Sequence, residues 1–214
     1  MKAKRHVPIK RDEGIIDQLN VSRETSEKLA AYLVLLEKWQ LKMNLVSTST
    51  LPDAGRRHIL DSAQLAPYLP QLPSHIMDIG SGAGFPGLVL AIITGHKVTL
   101  VESDTRKSIF LRTVIRELNL TAEVVNQRVE SLPPLGAKII TARALAPLDR
   151  LLGWLDQHLD AAQKCLFLKG VSVQDELTAL NSYPTIEHRV FPSISNADGV
   201  VLELDVSNHP GTEH

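Results

Sequence analysis

The sequence predicts an α/β fold: a mostly parallel, Rossmann-like sheet with helices on both faces, ending in an antiparallel hairpin and preceded by a helical extension. Three observations carry this reading. From Ser74 onward, short apolar runs alternate with helical patterns, the rhythm of a parallel sheet with crossover helices. The last two runs, HRVFPSI and GVVLELDV, are separated only by Ser-Asn-Ala-Asp-Gly, too short for a crossover and suited to a hairpin turn. Between the first run and the first core helix lies DIGSGAGFPG, Asp78 to Gly87, with four glycines in ten residues.

The elements follow in order. Leu29, Leu33, Leu36, Trp39 and Met43 recur at spacings of three and four, and Ser22, Thr25 and Ser26 offer caps, which predicts an amphipathic helix from Ser22 to Met43. A second short helix is expected over Pro52–Ala66, after which Pro67, Pro70 and Pro73 interrupt regular structure. A basic arm with helical extension is therefore assigned to 1–73, the core to 74–207 and a frayed tail to 208–214. Core strands are read in HIMDIG, KVTLVE, AEVVNQ, KIITARA and CLFLKG. Core helices are read over Pro86–Ile93, Thr105–Leu118, Asp149–His158 and Ser172–Leu180.

Composition bounds the function. A chain of 214 residues with 43% hydrophobic and 22% charged residues can bury a core without staples, and it has no apolar run able to span a bilayer. The opening MKAKRHVPIKR lacks the apolar stretch of a secretory signal, so a cytoplasmic protein is expected, and a monomer. Cys165 is the single cysteine, which excludes an internal disulfide or a Cys-rich zinc site; within CLFLK it reads as a buried, inert thiol. No metal site is expected. The net charge of -1 argues against an evenly basic surface, while Lys2 to Arg11, Arg56-Arg57-His58, Arg106-Lys107 and Arg112 with Arg116 leave room for a basic patch.

The glycine loop sits where open α/β sheets bind ligands, at the carboxyl end of the first strand. Gly82-x-Gly84-x-x-Gly87 alone fits a dinucleotide as well as any other ligand, and Gly87 has a plainer role in close helix-to-strand packing. Glu102, about twenty residues beyond the loop, is placed to accept both hydrogens of a ribose diol. Asp78 on the first strand would crowd a pyrophosphate but suit an ammonium or sulfonium group; its alternative is a strand-end residue capping backbone amides. These features favour S-adenosylmethionine over NAD, and an antiparallel hairpin is the sheet ending for which class I S-adenosylmethionine-dependent methyltransferases are known.

Several motifs then stand in a specific order: Trp39, Asn44 and Leu45 (W-x-x-x-x-N-L), Arg57, His58, Asp61 and Ser62 (R-H-x-x-D-S), the loop from Asp78 to Gly87, Arg128 to Glu130 (R-V-E), Arg143-Ala144 and Lys169-Gly170. In these the sequence resembles the bacterial small-subunit rRNA guanine-N7 methyltransferase family, historically called glucose-inhibited division protein B, over most of its length. It departs from that pattern at Ala83 and Phe85. The resemblance implies methyl transfer from S-adenosylmethionine to N7 of a guanine in 16S rRNA of the small ribosomal subunit. It implies a cofactor pocket formed by Gly80, Phe85, Glu102, Val129, Glu130 and Arg143, beside the loop residues Asp78, Gly82 and Gly84. Arg143 has a plainer alternative, a salt bridge to Asp149 or Glu130. Candidate RNA contacts are Arg56, Arg57, His58, Lys169 and the basic arm, with His58 and Asp61 alternatively a structural pair. No acid–base catalyst is singled out, because guanine N7 carries a free lone pair. The competing readings are an NAD-linked oxidoreductase and a non-catalytic, cofactor-binding ribosome assembly factor.

Overall fold

The computed structural model describes residues 13–209; the basic cluster Lys2 to Arg11 and the end of the tail, 210–214, lie outside the described residues. Seven strands form one sheet in the order β3-β2-β1-β4-β5-β7-β6. They are β1 (His75–Ile79), β2 (Lys97–Val101), β3 (Ala122–Val125), β4 (Ile139–Arg143), β5 (Lys164–Lys169), β6 (Glu187–Pro192) and β7 (Val200–Asp205). β1 to β5 pair in parallel, while β7 inserts antiparallel between β5 and β6. Strand order reverses at the β1/β4 junction, the switch point at which the carboxyl ends of the strands open a crevice.

The helices are α1 (Glu13–Gln18), α2 (Arg23–Gln40), α3 (Asp61–Ala63), α4 (Gly87–Ile93), α5 (Thr105–Leu118), α6 (Leu148–Leu159) and α7 (Val173–Glu176). α2 begins as expected, with Ser22 Oγ accepting the Thr25 N–H at 3.2 Å. It ends three residues before Met43. The buried Gln40 amide accepts the Leu45 N–H and donates to the Val46 carbonyl, so the backbone that would have prolonged the helix is held in a turn. The helix expected over Pro52–Ala66 is a composite: a 3-10 turn over Thr48–Asp53, a π-helical turn over Gly55–Leu60, then α3. The wide turn carries Arg56, Arg57 and His58, in keeping with the tendency of π turns to occur at functional sites. Pro86 stands at the N-cap of α4 rather than inside it, and the last core helix continues from α7 as a 3-10 run over Leu177–Ser182.

Two apolar clusters sandwich the sheet. One joins Leu29, Tyr32, Leu33 and Leu36 of α2 to Ile76, Leu88, Val89 and Phe110, so the extension and the core share one interior and the prolines near residue 70 mark a change of secondary structure within one packed body. The other packs Leu151, Leu152 and Leu155 of α6 against Met77, Ile140 and Phe167. Cys165 is fully buried here, its thiol pushed upward in pKa by burial. Among the described residues no helix is long and apolar enough to cross a membrane.

Candidate functional site

The glycine loop follows β1 directly, and two of its glycines show different physical needs. A Cβ on Gly87 would stand 2.3 Å from Leu100 and 2.7 Å from Asp78, so this position is bare to let α4 lie on the sheet. At Gly82 the nearest atom to a Cβ would be the Gly80 carbonyl at 3.7 Å, and φ is +57°; here the missing side chain leaves a cavity wall open. Neighbours fix the loop from three sides. Glu102 Oε2 accepts the Gly82 N–H at 2.7 Å, Ser81 Oγ donates to the Asp78 carbonyl, and the fully buried Tyr32 of α2 donates its hydroxyl to the Ala83 carbonyl. The Tyr32 ring also lies 5.2 Å from Phe85, an aromatic contact worth about 0.5–1.5 kcal/mol. The N-terminal helix is thereby part of the loop's support.

Beside the loop opens a cavity of about 600 Å³, within the range of small-molecule sites. Its walls come from three places: the segment from Leu45 to Asp61, the carboxyl ends of β1, β4 and β5, and the turn between β6 and β7. A smaller recess of about 80 Å³ lies between Val101, Ser103, Val129, Glu130 and Trp154. Gly80 and Leu145 border both spaces. Leu145 rests on Gly80, where a Cβ would meet its Cδ1 at 2.4 Å, and it follows Ala144, whose φ of +47° is unusual for a residue with a side chain.

Arg143, at the end of β4, is the hub of the large cavity's wall. Its guanidinium lies 4.9 Å over the Phe85 ring and donates to the Arg57 carbonyl (3.1 Å), His58 Nδ1 (3.0 Å) and Asp61 Oδ2 (3.4 Å). His58 stacks on the same ring at 4.9 Å, and its Nε2 meets Thr50 Oγ1 at 2.9 Å. Only a neutral imidazole satisfies both contacts, Nδ1 accepting and Nε2–H donating. Burial and the charges of Arg143 and Arg57 hold the His58 pKa down to about 3, so the ring is neutral at physiological pH.

The expected site residues divide on this geometry. Gly80, Gly82, Phe85 and Arg143 line the large cavity, and Val129 and Glu130 line the small recess. Gly84 packs inward against Leu88 and the Tyr32 hydroxyl. Asp78 does not reach the cavity: it is fully buried, Oδ1 takes the Thr141 hydroxyl at 2.8 Å, and Oδ2 is enclosed with no aligned donor. Burial pushes its pKa up to about 6, against the pull of hydrogen bonds from Ser81 and Thr141. Glu102 is also buried and gives both oxygens to backbone N–H groups, Gly82 on one side and Asp104 on the other, which makes it a brace for the loop.

Two expected RNA contacts, His58 and Lys169, line the large cavity with their polar groups engaged inside the protein. His58 is 5% exposed and serves as packing between Phe85 and Arg143. Lys169 has its ammonium buried, donating to the Ala146 carbonyl at 2.6 Å and to Glu176 at 2.7 Å. Arg56 and Arg57 remain exposed, though Arg56 also reaches the Ser195 carbonyl. Arg143 pairs with Asp61 rather than with Asp149 or Glu130. The sequence reading missed Tyr32, Thr50, Leu145, Ser195 and Asn196; only Tyr32 had a signal available, its place on the apolar face of α2.

The sheet order, the glycine loop and the crevice at the switch point define the fold of the class I S-adenosylmethionine-dependent methyltransferases. Solved structures with this architecture include an S-adenosylmethionine-dependent methyltransferase from Aquifex aeolicus, with TM-score 0.57 at 15% identity over 72% of this chain and 92% of that one. A TehB-like methyltransferase from Corynebacterium glutamicum superposes with TM-score 0.57 at 15% identity, covering 83% and 98%. In sequence, the small subunit rRNA methyltransferase G of Paramagnetospirillum magneticum is 50% identical over 192 residues, 90% of this chain and 94% of the relative. That of Cereibacter sphaeroides is 45% identical over 202 residues, covering 92% and 98%. The model of the rRNA small subunit methyltransferase G family matches residues 25–199, and the chain belongs to that family.

Proposed function

We propose that this protein transfers a methyl group from S-adenosylmethionine to N7 of a guanine in 16S rRNA of the small ribosomal subunit, acting as a cytoplasmic monomer. The observation that carries the reading is the pair of adjoining spaces at the β1/β4 switch point in a chain of this family. The small recess, walled by Val101, Val129 and Trp154 with Ser103 and Glu130 at its edge, offers apolar faces and polar groups suited to adenine. The large cavity begins at Gly80 and Gly82, and its open space over Gly82 fits an amino-acid tail lying against backbone. Leu145, which borders both, is the side chain that a ligand spanning them would displace.

Bound S-adenosylmethionine supplies an electrophilic methyl on a positively charged sulfur. Guanine N7 has an in-plane lone pair and no proton, so the protein's task is placement, a contribution that reaches about 7–11 kcal/mol in well-oriented systems. Transfer moves positive charge onto the purine, which unpaired cations nearby would oppose. Both internal cations of the cavity wall are paired: Arg143 with Asp61 and Lys169 with Glu176. The major groove of A-form RNA is too deep and narrow for approach to N7, so the target guanine is presented from a loop or splayed out.

Calorimetry should show binding of S-adenosylmethionine and not of NADH, and tritiated methyl should pass to small subunits or to 16S rRNA. NADH binding alone sinks the reading, and cofactor binding without transfer to either RNA form leaves an assembly factor instead. Gly82→Val should weaken S-adenosylmethionine binding more than tenfold while lowering stability by about 1–2 kcal/mol, the cost of a branched residue in left-handed backbone. Unchanged affinity in calorimetry would refute the placement of the ligand over this residue.

A further inference from the structure

Nearly every polar side chain lining the large cavity is committed to a partner within the protein. Arg143, His58 and Asp61 bond one another directly or through Arg143, and Thr50 closes that set. Lys169, Ser172 and Glu176 form a second closed set. Ser47 bonds Ser49, Ser81 bonds the Asp78 carbonyl, and Ser195 bonds Asp61. Two lining side chains have no side-chain hydrogen bond among the described residues: Arg57 and Asn196.

Asn196 is half-buried in the turn between β6 and β7, and the turn around it is strapped to the N-terminal extension. Ser195 Oγ donates to Asp61 at 2.5 Å, Arg56 Nε to the Ser195 carbonyl at 3.2 Å, and the Ile194 N–H to the Gln64 amide at 2.9 Å. Within the turn the Asn196 carbonyl accepts the Gly199 N–H at 3.0 Å. A rigidly held backbone carrying an uncommitted amide at a cavity wall is the arrangement of a recognition group, because little ordering remains to oppose binding. The chemistry is specific. A carboxamide presents an acceptor and a donor side by side, and the Watson–Crick edge of guanine presents N1–H and O6 in the complementary order. With N7 directed at the methyl donor, that edge is the part of the base left for the protein to read.

We propose that Asn196 holds the Watson–Crick edge of the target guanine, an inference that rests on the function proposed above. The test uses the full chain and small subunits isolated from cells lacking it. Asn196→Ala should lower kcat/KM for the subunit roughly tenfold to hundredfold, the scale of one bidentate base contact, with S-adenosylmethionine affinity by calorimetry unchanged. Asn196→Asp should recover much of the loss, because a carboxylate accepts N1–H and N2–H together. A phosphate contact gives the reverse order, Asp worse than Ala, through repulsion, and that order overturns the assignment. So does an Ala variant with wild-type kcat/KM, or one that loses cofactor affinity. If the wild-type chain itself transfers no methyl group, the proposed function fails and this inference with it.

Discussion

Arg143→Ala is expected to lower the free energy of unfolding by about 3–5 kcal/mol, the loss typical of removing one partner from a largely buried ion pair. The two side chains are 18% and 19% exposed, so the Asp61 carboxylate would be left with little water in place of its cation. The same truncation strips the Arg57 carbonyl and His58 Nδ1 of their donor and removes the cation from the Phe85 face, where such contacts contribute about 0.5–2 kcal/mol. Since Phe85 and Gly80 flank the same wall, S-adenosylmethionine affinity should fall as well. Arg143→Lys should not rescue fully, because a compact ammonium has no planar face to lie on the Phe85 ring while its nitrogen serves the Arg57 carbonyl, His58 and Asp61. Denaturant unfolding of Arg143→Ala, Asp61→Asn and the double variant checks the argument. The double variant should lose clearly less than the sum, because the two residues share one interaction. A single-variant loss below 1 kcal/mol, or strict additivity, sinks it.

What could be read in advance followed from local pattern. The strands are continuous apolar runs because a parallel sheet is buried on both faces, so HIMDI and KIITAR announce themselves without reference to the rest of the chain. The left-handed glycines of the loop have no ordinary alternative, so its position was equally plain. The π turn was not legible: Pro52 and Gly55 interrupt the helical pattern, but nothing in the local sequence reveals a widened turn at Arg56 to His58. Nor could the chemistry of that turn be read. A histidine directly after two arginines looks like part of a solvent-facing basic cluster until Phe85 and Arg143, distant in sequence, close over it. The partner of Lys169 is hidden for the same reason, since Glu176 meets it only when α7 is in place beside β5. Asn196 and Leu145 were invisible because their meaning lies in the cavity they border, which elements far apart in the chain build together.

That tertiary burial also sets an opposed pair of pH dependences. His58→Gln is expected to turn the response to acid toward stabilisation between about pH 6 and pH 4 relative to the wild type, and Asp78→Asn to turn it the other way. His58 titrates near 6.5 in the unfolded chain and about 3 in the folded one, so between these values only the unfolded chain takes up the proton. Its stabilising contribution is present above pH 6.5 and is lost as pH falls through that window. Asp78 is reversed: with a folded pKa of about 6 against 3.8 unfolded, the folded chain holds the extra proton, and stability gained below pH 3.8 is lost as pH rises through 6. Each slope is about 1.4 kcal/mol per pH unit, so over two units each variant should diverge from the wild type by on the order of 2–3 kcal/mol, in opposite directions. Asp104, Glu123 and Asp205, whose pKa values lie below the usual range, make every variant acid-sensitive alike, so the readout is the difference from wild type in denaturant midpoints. Three parallel profiles would show that neither group is buried in the charge state inferred from its surroundings.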